Sequence, residues 1–71
     1  TIGYTIPART HVTLEVFNIV GRRVALLAEG IMPAGTHRAV WDARGMPSGV
    51  YLYRLRTGDG LVATKKALVV K

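Results

Sequence analysis

Apolar and polar residues alternate at period two along most of the chain, the spacing that turns one side of a strand to a core and the other to water. Over residues 1–6, Ile2, Tyr4 and Ile6 share one face, with Thr1, Gly3 and Thr5 opposite. In the next run Val12, Leu14 and Val16 oppose His11, Thr13 and Glu15. The alternation shifts at Phe17, which shares a face with Ile19, so a bulge or a sheet crossing is predicted there. Residues 36–41 alternate again, Thr36, Arg38 and Val40 against His37, Ala39 and Trp41. The clearest strand covers residues 50–56, where Tyr51, Tyr53 and Leu55 point one way and Val50, Leu52, Arg54 and Arg56 the other. Residues 61–70 form its partner, with a change of phase predicted near Lys65 and Lys66. Residues 23–29 leave two readings open: their length and flanking turns favour a strand, while Ala25-Leu26-Leu27-Ala28 also fits one helical turn.

Breakers separate these runs. Pro7 opens a turn over residues 7–10, and residues 18–22 form a hairpin-like bend in which Gly21 is free to take a positive φ. Loops are predicted over residues 30–35 and 42–49, and Asp59-Gly60 marks a tight hairpin turn. About six or seven short antiparallel strands joined by Gly- and Pro-bearing turns predict an all-β fold, a β-sandwich.

Composition narrows the picture further. The chain has 71 residues, of which 49% are hydrophobic, enough for one small domain with its own core. It has no cysteine, so neither a disulfide nor a thiolate metal site supports it. No uncharged run is long enough for a transmembrane helix. Ten basic against four acidic residues give a net charge of +6, which admits nucleic acid, anionic lipid or anionic polysaccharide as partners. The small size argues against an independent enzyme. Strand-like alternation runs up to both ends, which predicts a single domain over residues 1–71 cut from the C-terminus of a longer polypeptide.

Candidate chemistry is sparse. His11 and His37 are the only histidines, and with Glu15 they make a poor metal set. Ser48, the only serine, sits between Pro47 and Gly49 without a nucleophile-elbow pattern. Gly58-Asp59-Gly60 lacks the lysine and the helix of a phosphate cradle. No catalytic, cofactor or metal site is therefore predicted. Trp41 is expected at the centre of the core, with a sugar-stacking platform as the lesser reading. Arg54, Arg56, Lys65 and Lys66 lie on the last two strands and are expected to form one basic patch. That patch is either a solvated edge guard or a docking surface for an acidic receptor or anionic glycan. Nucleic acid is disfavoured, because the only aromatics near these cations, Tyr51 and Tyr53, face the core.

Four blocks in order carry a resemblance. They are residues 16–24 (Val-Phe-Asn-Ile-Val-Gly-Arg-Arg-Val), residues 32–37 (Met-Pro-Ala-Gly-Thr-His), Val40-Trp41-Asp42, and residues 46–55 (Met-Pro-Ser-Gly-Val-Tyr-Leu-Tyr-Arg-Leu). The closing run 65–71 (Lys-Lys-Ala-Leu-Val-Val-Lys) completes them. Together they resemble the type A C-terminal sorting domain of the Bacteroidota type IX secretion system, and more distantly the immunoglobulin-like domain of flagellar hook-capping proteins. Hook-capping relatives carry a longer insertion after the Trp-Asp pair, whereas here only residues 43–47 intervene. The Asn-Pro-rich segment that often precedes the first strand in both families does not occur within residues 1–71. The resemblance implies an immunoglobulin-like β-sandwich at the end of a secreted cargo. Outer-membrane machinery would recognise it after the cargo reaches the periplasm. The cargo would then be released or joined to an anionic surface polysaccharide. Matching family positions are Gly21, Gly35, Gly49, Tyr51 and the terminal strand. The residues expected to be read by a receptor are Gly49, Tyr51, Arg54, Arg56, Lys65, Lys66 and Lys71. A structural immunoglobulin-like accessory module is the alternative function, and glycan binding a weaker one.

Overall fold

The computed structural model describes residues 2–70. Six strands account for the fold: β1 (Ile2–Ile6), β2 (Thr10–Phe17), β3 (Arg23–Met32), β4 (Gly35–Ala39), β5 (Gly49–Thr57) and β6 (Val62–Val69). They form two antiparallel sheets, a pair β1-β4 and a four-stranded sheet in the order β3-β2-β5-β6. The inward faces meet in one core of Ile2, Ile6, Val12, Leu14 and Leu55, with Tyr4, Leu27, Met32 and Tyr53 packed around it. This is the predicted β-sandwich of the immunoglobulin-like class. The alternation fixed its faces: Ile6, Val12, Leu14 and Val16 are each almost wholly buried.

The ambiguous run at residues 23–29 is strand, and it extends beyond the predicted limit to Met32. Pairing with β2 explains the extension, because the ladder continues through Val12↔Gly30 to Thr10↔Met32. The predicted loop 30–35 therefore shrinks to Pro33 and Ala34. The irregularity predicted at Phe17 is present as a register shift between Val16 and Phe17, and a second shift lies between Leu14 and Glu15. In both places β3 supplies the extra residue, Val24 in one case and Leu27 in the other. Fitting ten residues of β3 against eight of β2 requires such bulges.

The predicted phase change at Lys65 and Lys66 does not occur. β6 pairs with β5 in one unbroken register, from Gly49↔Val69 to Arg56↔Val62. The impression of a shift arises because β6 carries apolar residues on both faces. Leu68 and Val62 point away from the core and are mostly exposed.

Turns close the hairpins with side-chain help. At the β2–β3 bend the Asn18 side-chain oxygen accepts from the Arg22 amide at 2.9 Å and the Val20 amide at 3.2 Å. Gly21 there adopts φ 85°, which an L side chain rarely takes. At the β5–β6 turn the Thr57 hydroxyl donates to the Asp59 carboxylate and accepts from the Leu61 amide. That bond to Thr57 holds the Asp59 carboxyl below its ordinary pKa.

Candidate docking surface

Pairing dictates which side chains share the outer face of the large sheet. Glu15 lies opposite Arg54, Thr13 opposite Arg56, and Phe17 opposite both Leu52 and Arg23. Residues directly opposite in an antiparallel pair point to the same side. Three arginines thus converge on one carboxylate. Arg23 Nη1 lies 3.4 Å from Glu15 Oε2, and Arg54 Nη2 and Arg56 Nη2 lie 3.5 Å and 3.6 Å from Oε1. They close over Glu15 so completely that it is only 5% exposed. The Arg54 guanidinium also sits 4.7 Å above the centroid of the Phe17 ring, a cation–π contact. Three guanidinium charges against one carboxylate leave the face positive.

The four-residue basic patch is split by the fold. Lys66 pairs with Leu52 and joins Arg54 and Arg56 on the outer face. Lys65 pairs with Tyr53 and points to the inner side. Adjacent residues on a strand face opposite ways, so one patch never contains both lysines. Lys71 lies outside the described residues.

Gly49 and Tyr51 shape the start of β5. Gly49 has φ 154° and pairs with Val69 at the sheet edge. Tyr51 is buried, and its hydroxyl donates to the Pro47 carbonyl at 2.8 Å, tying the 42–48 loop to the sheet. Trp41 does not occupy the centre of the core. β4 ends at Ala39, so Trp41 falls past the ladder and is half-buried at the rim, edge-on to Tyr51 with centroids 5.2 Å apart.

The histidines do not converge with Glu15. His11 and Glu15 belong to the outer face of the large sheet, whereas His37 stacks on Tyr4 at 5.5 Å and its Nε2 lies 2.8 Å from the Pro33 carbonyl oxygen. No group of three His, Cys, Asp or Glu capable of holding a metal occurs among the described residues. Tyr4 donates to the Met32 thioether at 3.2 Å, and burial pushes its phenol above the ordinary value.

Two features escaped the sequence reading. One is the burial of Glu15, which alternation places on the solvent side. Its signal was present: one acid in mid-strand, with arginines at outward positions of a later strand. The other is a cleft of about 200 Å³ between β1 and β6, lined by Ile2, Tyr4, Tyr53, Leu61, Ala63 and Lys65 among others. It exists because, among the described residues, neither strand is paired on that side.

The two stacked sheets define a small immunoglobulin-like β-sandwich with one cationic face. The chain belongs to the secretion system C-terminal sorting domain family, which matches residues 1–71. It is therefore a C-terminal sorting domain of the type IX system, a secretion signal, and proteins bearing such domains pass the outer membrane to the cell surface or are released. Neither the curated proteins nor the solved structures contain a match.

Proposed function

We propose that this domain is a non-catalytic address, carried at the C-terminus of a longer secreted protein and read in its folded form by the type IX outer-membrane machinery. The family match over the whole of residues 1–71 carries the reading. The geometry supports it: Arg23, Arg54, Arg56 and Lys66 share the outer face of the large sheet and leave it positive. In this reading Arg54, Arg56, Lys66 and Lys65 supply charge at the β5–β6 ribbon, with Lys71 beyond it. Gly49 and Tyr51 hold the shape on which those charges are displayed.

The test is export of a reporter fused to the chain in a type IX-competent host. The full domain sends the reporter outside the cell, while removal of residues 62–71 leaves it in the periplasm. Undiminished export after that removal overturns the reading.

A further inference from the structure

The two edges of the large sheet are not alike. β3 is interrupted by two bulges, which twist an edge and spoil it as a template for pairing. β6 is regular over eight residues and, among the described residues, has no strand on its outer side. Beside that free side lies the apolar cleft to β1, and Leu61, Val62 and Leu68 remain 42%, 58% and 70% exposed. An added strand would cover these groups and give the unpaired backbone of β6 its partners.

Charge selects the occupant. Lys65 and Lys66 stand at the middle of β6, one on each face, and neither forms an ion pair among the described residues. Lysines on an edge strand discourage pairing with a neutral strand. A second copy is disfavoured as well, because antiparallel pairing centred on this dipeptide sets lysine against lysine. A strand with two consecutive acidic residues places one carboxylate beside each lysine. β-Branched residues flanking that pair meet the apolar positions of β6 and the cleft.

We propose that the free edge of β6 accepts an extended segment of a partner protein, with a central acidic pair flanked by β-branched apolar residues, as a fifth strand of the large sheet. The partner belongs to the secretion machinery, so the proposal rests on the sorting-signal reading above. It specifies how the address is read: backbone pairing supplies affinity, and the two lysines supply the choice of partner.

The probe is the capped peptide Val-Thr-Val-Glu-Glu-Val-Thr-Val, titrated into the 71-residue chain and followed by amide hydrogen exchange. A control peptide carries Lys-Lys in place of Glu-Glu. The acidic peptide is expected to bind saturably, to slow exchange in β6 and not in β3, and to weaken with added salt. The K65E–K66E double variant alters exposed side chains and keeps the native circular dichroism. It is expected to lose affinity for the acidic peptide by at least about tenfold and to prefer the lysine control. Exported reporter should fall with it. Absence of binding, protection on β3, or equal binding of both peptides overturns the proposal. Undiminished export of K65E–K66E beside normal export of the unaltered domain overturns it too, and leaves the sorting reading intact. Failure of the unaltered domain to export overturns the sorting reading instead, while the titration still decides whether β6 accepts a strand.

Discussion

Glu15 occupies a position that alternation assigns to solvent, yet three arginines from two neighbouring strands enclose it. Removing the carboxylate leaves like charges crowded on one face. Arg23 and Arg56 are half-exposed, while Arg54 is 36% exposed with its Nε buried, so the cluster is partly solvated and the loss falls short of that for a fully buried pair. Glu15→Ala is expected to lower stability by about 1–2 kcal/mol in urea unfolding, and to be relieved by added salt. At Tyr4 burial governs the chemistry. Its phenol is raised above the ordinary value because the charged form is poorly solvated. Folding therefore favours the protonated hydroxyl. That contribution is fully present below about pH 10 and is lost as pH rises through the folded value. Tyr4→Phe should flatten the fall of stability above that pH, as read by denaturant titration at a series of alkaline pH values. An unchanged slope would show that Tyr4 does not drive the loss. The burial of Glu15 leaves a trace in the sequence, a single mid-strand acid with arginines at outward positions of a later strand, whereas the setting of Tyr4 leaves none. A strand pattern gives the face of a residue but not which strands will flank it, and both Glu15 and Tyr4 take their environment from partners more than 25 positions away, Arg54 and Met32.

At the scale of the element, period-two alternation is sufficient for β1, β2 and β5, whose inward residues are those the pattern marks. It was insufficient where both faces carry apolar residues. Residues 23–29 left helix and strand open because Ala-Leu-Leu-Ala fills both templates, and the hydrogen-bonding demand of β2 decides the matter. β6 gave a false phase change for the same reason, since an edge strand has no inner and outer side of equal weight. Turn chemistry was the most legible local feature. Asn18 caps the β2–β3 bend through two amides, and Gly21 supplies the positive φ that the bend requires. A Cβ at Gly21 meets no atom within 4 Å, so any cost of substitution is backbone strain alone. Gly21→Ala is expected to cost about 1 kcal/mol by thermal unfolding, with the β2–β3 register retained. A variant as stable as the parent would show that the bend tolerates another conformation.

The whole molecule joins a thin core to a large outward display. Only seven hydrophobic residues among those described are buried, and they come from β1, β2 and β5. Tyr4, Leu27, Ala28, Met32, Ala39 and Tyr53 pack partly against this core, and most other side chains are exposed. Trp41 illustrates the limit of sequence reading at this scale. A lone tryptophan invites a central position, but it follows the last paired residue of β4 and so lies at the rim. The basic patch illustrates another: four cations close in sequence separate onto two faces once the strands are formed. The central claim is that this folded domain is an address for the type IX system. It is tested most directly by fusing the chain to a periplasm-stable reporter and following the reporter in two otherwise identical hosts, one with the type IX outer-membrane machinery intact and one with it disrupted. The account predicts extracellular reporter in the first host and periplasmic reporter in the second. Reporter retained in the periplasm of both, or released equally by both, contradicts it.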